Sequence, residues 1–77
     1  MAHYEIFVTY REGIFDPPGA TAKGALENLG YPVEEVRIGK YIQLETEAGP
    51  EAVREMCEKL LANPVIEDFR IETAEGA

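Results

Sequence analysis

The chain has 77 residues, enough for one domain, and a domain of this size buries only about 60% of its unfolded surface and often gains from oligomerisation. Fifteen acidic residues against seven basic ones leave a net charge of −8, which disfavours nucleic acid and anionic membranes as partners, because both call for a basic surface. The one cysteine excludes an internal disulfide, no apolar run approaches the ~20 residues of a membrane span, and no signal-peptide pattern opens the chain.

These features read as a cytoplasmic protein forming a single domain over 1–77, with 1–3 and 74–77 expected to be flexible. Residues 4–10 alternate. Tyr4, Ile6, Val8 and Tyr10 share one side, and Glu5, Phe7 and Thr9 share the other. Aromatic and β-branched residues dominate, so this is a predicted strand. Phe7 is an aromatic on the polar side, either simply exposed or covered by another chain.

After a loop at 11–15, Asp16-Pro17-Pro18-Gly19 has the chemistry of a helix start. The aspartate can accept from open backbone amides, and proline at the first helical position gives up nothing. A helix is predicted over 17–29 with Ala22, Ala25, Leu26 and Leu29 facing inward. Gly24 costs about 1 kcal/mol relative to alanine inside a helix, which suggests a close approach there. Gly30 ends the helix and Pro32 prevents its resumption.

Residues 33–47 form the element around which the two halves are arranged. Val36, Ile38, Ile42 and Leu44 fall on one side, and Arg37, Gly39, Tyr41 and Gln43 on the other. Lys40 interrupts the apolar row directly after a glycine, and a charge in a core row is costly if it stays dry. Either the strand bends at Gly39–Lys40 or the chain reverses there in a two-residue hairpin. The bend is favoured, because a hairpin would leave a short first arm.

Ala48-Gly49-Pro50 is a turn into a second helix, predicted over 50–62, with Val53, Met56, Cys57, Leu60 and Leu61 inward. Glu51 near its start and Lys59 near its end complement the helix dipole, and Glu55 stands four residues before Lys59. Asn63-Pro64 stops it. Residues 65–73 read as the last strand, with Val65, Glu67, Phe69 and Ile71 on one side and Ile66, Asp68, Arg70 and Glu72 on the other.

The expected fold is α+β, in the order β-α-β-α-β. Two βαβ units share a long bent central strand, and two helices pack on one face of an antiparallel sheet. The other face carries Phe7, Tyr41 and Ile66 among polar residues. A partly apolar open face implies self-association through sheet faces, edge strands or both, as a dimer or tetramer.

The residues offer no catalytic constellation. There is one histidine, His3, and no serine, and one His far from one Cys matches no metal spacing. Gly13, Gly19, Gly24 and Gly30 fit neither phosphate-binding fingerprint. Glu34–Glu35 and Glu67–Asp68 are adjacent pairs, which an extended chain splits across two faces, so they read as solvated acids. Cys57 lies in an apolar helical pattern and reads as a packed thiol. Arg37 and Lys40 flank Gly39, and Arg11 ends the first strand. Together these cations could take a carboxylate or phosphate of a partner, although pairing with the chain's own surplus acids is the simpler reading.

Three separated segments carry a family resemblance. They are Asp16-Pro17-Pro18-Gly19, Val36-Arg37-Ile38-Gly39-Lys40-Tyr41, and the run from Met56 to Phe69 that contains Leu60-Leu61-Ala62-Asn63-Pro64. In combination and at this spacing the chain resembles the PurS family from about Tyr4 to Glu72. The resemblance implies the small subunit of phosphoribosylformylglycinamidine synthase, in organisms that split this enzyme of de novo purine synthesis into separate chains. In that system the glutaminase PurQ releases ammonia from glutamine. The synthetase PurL uses ATP to activate the formamide oxygen of formylglycinamide ribonucleotide, which ammonia displaces. PurS is the bridge between them and assists the passage of ammonia.

The resemblance therefore implies no catalytic, cofactor-binding or metal residue on this chain, with ATP and Mg used elsewhere in the complex. Arg37, Gly39, Lys40 and Tyr41, with Arg11, are the candidate partner contacts, since Tyr and Arg are favoured at interfaces. The alternative reading is a dimeric small-molecule-binding regulatory module of ferredoxin-like type. A stand-alone enzyme is disfavoured for want of a nucleophile, base pair or metal set.

Overall fold

The computed structural model describes residues 2–74. Its elements are β1 (Ala2–Tyr10), α1 (Pro17–Asn28), β2 (Lys40–Thr46), α2 (Pro50–Met56) and β3 (Glu67–Ala74). A π-helical turn, Cys57–Leu61, continues α2 without a break. The strands form one antiparallel sheet in the order β2-β1-β3, so the expected β-α-β-α-β arrangement is present.

The most strongly alternating segment lies at the centre of the sheet. Tyr4, Ile6 and Val8 are buried on one face of β1, and Ile6 stands opposite both Ile42 and Ile71. Val53 and Cys57 from the second helical segment, and Ala62 just after it, close this core. Each fully buried Ile or Val contributes about 1.5–3 kcal/mol relative to an exposed one, so this small cluster dominates the stability. Ala2 and His3 already belong to the ladder, opposite Thr46 and Glu45, and Ala74 pairs with His3, so the freedom expected for 1–3 and 74–77 does not extend to these three. Met1 and residues 75–77, part of the tails expected to be flexible, lie outside the described residues.

The middle strand is shorter than expected, because the ladder with β1 begins only at Lys40, opposite Val8. Neither a hairpin nor a continuous strand covers 33–39. Gly39 presses on β1 so closely that an added Cβ would run into the Val8 carbonyl oxygen. Just before it, the Ile38 N–H is taken by the Asp16 side chain, so the backbone at 38 is bound to a loop and not to a neighbouring strand.

Both ends of α1 follow the sequence. The Gly19 N–H donates to Asp16 Oδ1 at 2.9 Å, and Gly30 adopts φ +97° just past the helix. Its expected inward stripe does not close. Ala25 and Leu29 are exposed, Ala22 and Leu26 half-buried, and Gly19 is the buried residue of the helix. A stripe half made of alanine offers little apolar area, and the second helical segment already covers Tyr4, Ile6 and Val8. Gly24 meets no neighbour within 4 Å, so the close approach expected there is absent. The chain measures 47 × 29 × 14 Å with a radius of gyration of 15.5 Å. A compact chain of this length would have about 11.5 Å.

The second helical segment reaches 61, one residue short of the expected end at 62, and its last turn is π-helical, with the Ala62 N–H donating to the Cys57 carbonyl at 2.9 Å. A wider turn advances each residue by less rotation, which takes Leu60 out of the inward stripe and leaves it 82% exposed. The last strand starts at Glu67 and not at 65. Asn63 holds the chain in a turn, accepting the Val65 N–H on its side chain and the Ile66 and Glu67 N–H groups on its carbonyl. Val65 consequently stands exposed on that turn.

Candidate partner-contact surface

The five residues singled out in the sequence fall in two places. Arg11 and Arg37 lie beyond the end of β1. Gly39, Lys40 and Tyr41 enter β2, where alternation sends Lys40 and Tyr41 to opposite sides.

Each of the three cations is engaged by a backbone carbonyl of its own chain. Arg11 donates through Nε and Nη2 to the Pro64 carbonyl at 3.1 and 2.7 Å, and Nη1 stands 3.5 Å from Asp68. Arg37 donates to the Tyr10 carbonyl. Lys40 donates to the Leu61 carbonyl at 3.1 Å, at the end of the π turn. Lysine near a helix C-terminus satisfies open carbonyls and suits the dipole. The charge that interrupted the apolar row is thus brought to the surface, where it caps the other half of the molecule. All three groups are exposed, so they remain available at a surface while bracing the fold.

Tyr41 belongs to the open face of the sheet. Its hydroxyl donates to Glu5 Oε2 at 3.0 Å, and its ring lies 5.2 Å from that of Phe7. Partial desolvation, and then the hydrogen bond to Glu5, raise the Tyr41 hydroxyl above its ordinary pKa. On the other flank the Arg70 guanidinium stands 4.4 Å from the Phe7 ring centroid. Tyr41, Phe7 and Arg70 are cross-strand partners, so the three strands lay them side by side. A cation over an aromatic face is favourable by about 0.5–1 kcal/mol at exposed sites.

Phe7 was visible in the sequence as an aromatic out of pattern. Arg70 was not, because only the register of β3 against β1 places it on that ring. The rest of this face is laced with charge. His3 lies 3.3 Å from Glu45 and Arg70 lies 3.3 Å from Glu72. Ile66, expected on this face, sits instead on the turn before β3 and accepts the Arg11 N–H at its carbonyl.

Among the described residues no three His, Cys, Asp or Glu side chains converge as a metal set would, and no helix is long and apolar enough to cross a membrane. The open face of the sheet thus carries Tyr41, Phe7 and Arg70 side by side, while Lys40 lies on the opposite side, bound to the end of the π turn.

A sequence profile of PurS, described as phosphoribosylformylglycinamidine (FGAM) synthase, matches residues 3–75. The phosphoribosylformylglycinamidine synthase subunit PurS of Bacillus subtilis is 44% identical, over 97% of this chain and 95% of its own length. The PurS subunit of Synechocystis is 47% identical, over 97% of this chain and 83% of its own. The crystal structure of B. subtilis PurS superposes with a TM-score of 0.90, covering 97% of this chain and all of that one at 44% identity. A chain of the PurLQS structure from Thermotoga maritima superposes with a TM-score of 0.82 at 39% identity, covering 95% and 96% of the two chains.

Proposed function

The chain belongs to the PurS family of FGAM synthase subunits in purine biosynthesis, and from this we propose that it is a non-catalytic bridge between the glutaminase PurQ and the synthetase PurL. The observation that carries the reading is the match, along nearly the whole chain, to a component of the PurLQS structure. A bridge acts through geometry. It raises the effective concentration of one active site near another and shortens the path on which ammonia is exposed to bulk water. ATP and Mg belong to the synthetase in this reading, this chain binds no cofactor, and the complex works in the cytoplasm.

Self-association is part of the proposal. The open stripe of α1, with Leu29 and, just past the helix, Tyr31 exposed, leaves apolar surface that a second copy would cover. Arg11, Arg37, Gly39, Lys40 and Tyr41 remain the proposed contact region for the other subunits, now extended to Phe7 and Arg70.

Reconstitution tests the reading. With the glutaminase and synthetase present, omission of this chain is expected to abolish glutamine-dependent amidotransfer while activity with added ammonium salt persists. Equal glutamine-dependent activity with and without it would overturn the bridge. Arg37→Ala with Tyr41→Ala, in a variant shown to keep its melting temperature, is expected to weaken assembly. Unchanged assembly would remove that surface from the contact region.

A further inference from the structure

A groove of about 270 Å³ opens between the 11–16 loop, the first turns of α1 and the 34–37 segment. Its walls include Ile14, Phe15, Ala20 and Val36. Phe15 is 72% exposed and Ile14 40%, so apolar wall is offered to water and is not covered by any of the described residues. The loop that carries them is fixed. The Ile14 N–H closes a turn on the Arg11 carbonyl at 3.0 Å, Gly13 holds φ +86°, and Asp16 ties the loop to both α1 and Ile38.

The charge at the rim decides what such a groove would accept. Of the three cations lining it, Arg11 is paired with Asp68 and Lys23 with Glu27, at 3.5 and 2.8 Å. Among the described residues Arg37 has no carboxylate in an ion pair with it. Against it stand Asp16, Glu12, Glu34 and Glu35, the last three exposed and without an ion pair among the described residues. Apolar walls under a rim of carboxylates suit a side chain with a long aliphatic stem and a cationic head. An anionic ligand would face the carboxylates, and a second copy, itself at −8, would bring the same sign.

We infer that this groove is a socket for a lysine or arginine side chain presented by one of the two enzyme subunits that the chain bridges. The inference rests on the bridging reading for its partner and on the groove for its chemistry. The aliphatic stem lies on Phe15 and Ile14, and the cationic head sits among Glu12, Glu34 and Glu35. The pair of adjacent acids that served no catalytic purpose in the sequence thereby acquires a role.

The test is assembly with the glutaminase and synthetase subunits, followed by sedimentation. It compares the wild-type chain, Glu34→Lys with Glu35→Lys, and a control of equal charge change, Glu51→Lys with Glu58→Lys on the other helical segment. All four positions are exposed, so both variants are expected to fold, which circular dichroism and melting verify. The groove variant is expected to bind at least tenfold more weakly, the control within twofold of wild type, and added salt to weaken the wild type more than the groove variant. Equal affinity of the groove variant and wild type overturns the socket and leaves the bridge standing. Equal loss in both variants overturns it too, as general attraction to an acidic chain. Failure of the wild-type mixture to assemble overturns the bridge and the socket with it.

Discussion

Asp16 Oδ2 accepts a hydrogen bond from the Ile38 backbone N–H at 2.8 Å, which ties the start of α1 to the approach to β2. The other oxygen of the same carboxylate caps α1 through the Gly19 N–H. Loss of an N-cap costs about 1 kcal/mol and loss of a hydrogen bond to a charged group about 1.5–3 kcal/mol. With this carboxylate only half-buried, Asp16→Ala is expected to lower stability by about 2.5 kcal/mol, at the low end of that sum. Asp16→Asn keeps one acceptor and can satisfy one bond but not both, so it should fall between alanine and wild type. Urea midpoints measure the series. A midpoint for Asp16→Ala equal to wild type would show that neither bond carries stability.

Three glycines should respond in opposite directions. At Gly39 an added methyl meets the Val8 carbonyl and the Thr9 side chain, and at Gly19 it meets the Val36 carbonyl and Asp16. Alanine at either site is expected to cost about 1–3 kcal/mol through overpacking and backbone shift. At Gly24 nothing lies within 4 Å, and the backbone is ordinary helix. Gly24→Ala should therefore stabilise by about 0.5–1 kcal/mol. Thermal melts of the three variants check the ordering. Destabilisation by Gly24→Ala would mean that its face of α1 is covered in solution, as a second copy would cover it.

The contrast shows which parts of the fold could be read from the chain. Local signals were legible. The alternation of β1, the Asp16 cap, the Gly30 stop and the Gly49-Pro50 start each depend on a few adjacent residues, and each is found where it was expected. Features set by contacts distant in sequence were not. Gly39 adjoins Val8, and Asp16 takes the Ile38 amide, so the ladder of β2 starts only at Lys40. Arg11, Arg37 and Lys40 were expected to pair with the chain's surplus acids, because no local pattern shows that the carbonyls of Pro64, Tyr10 and Leu61 come within their reach. Asn63 was legible as a helix stop but not as the residue that delays β3. Phe7 stood out, but its Arg70 neighbour depends on strand register.

Cys57 offers a test of the core by pH. Burial is the main cause that raises its thiol pKa from 9.0, with the Arg54 charge opposing and Glu58 adding. The unfolded thiol ionises near its ordinary value, whereas the folded one holds its proton to higher pH. Stability contributed by this group is therefore complete below pH 9.0 and is lost as pH rises through the folded value. Denaturation midpoints are expected to fall above that pH, and less steeply in Cys57→Ala, which has no thiol to ionise. Alkylation by iodoacetamide should also be slow in the native protein and fast in urea. Rapid labelling of the native protein would contradict a closed core at this site.

Lys40 couples the two halves of the chain through one ammonium. Its bond to the Leu61 carbonyl falls where the π turn leaves carbonyls open, one residue before the Ala62 N–H closes that turn on Cys57. Lys40→Met keeps the aliphatic stem and removes the donor. Because the bond is exposed, the global cost is expected to be small, about 0.5–1 kcal/mol. The local effect should be larger, since the end of a helix opens more readily than the core. Hydrogen exchange at the Ala62 amide is expected to quicken several-fold in Lys40→Met, while amides at Ile6 and Val8 change only by the global amount. Equal acceleration everywhere would show that the lysine acts on overall stability alone, and no acceleration at Ala62 would show that the π turn holds without it.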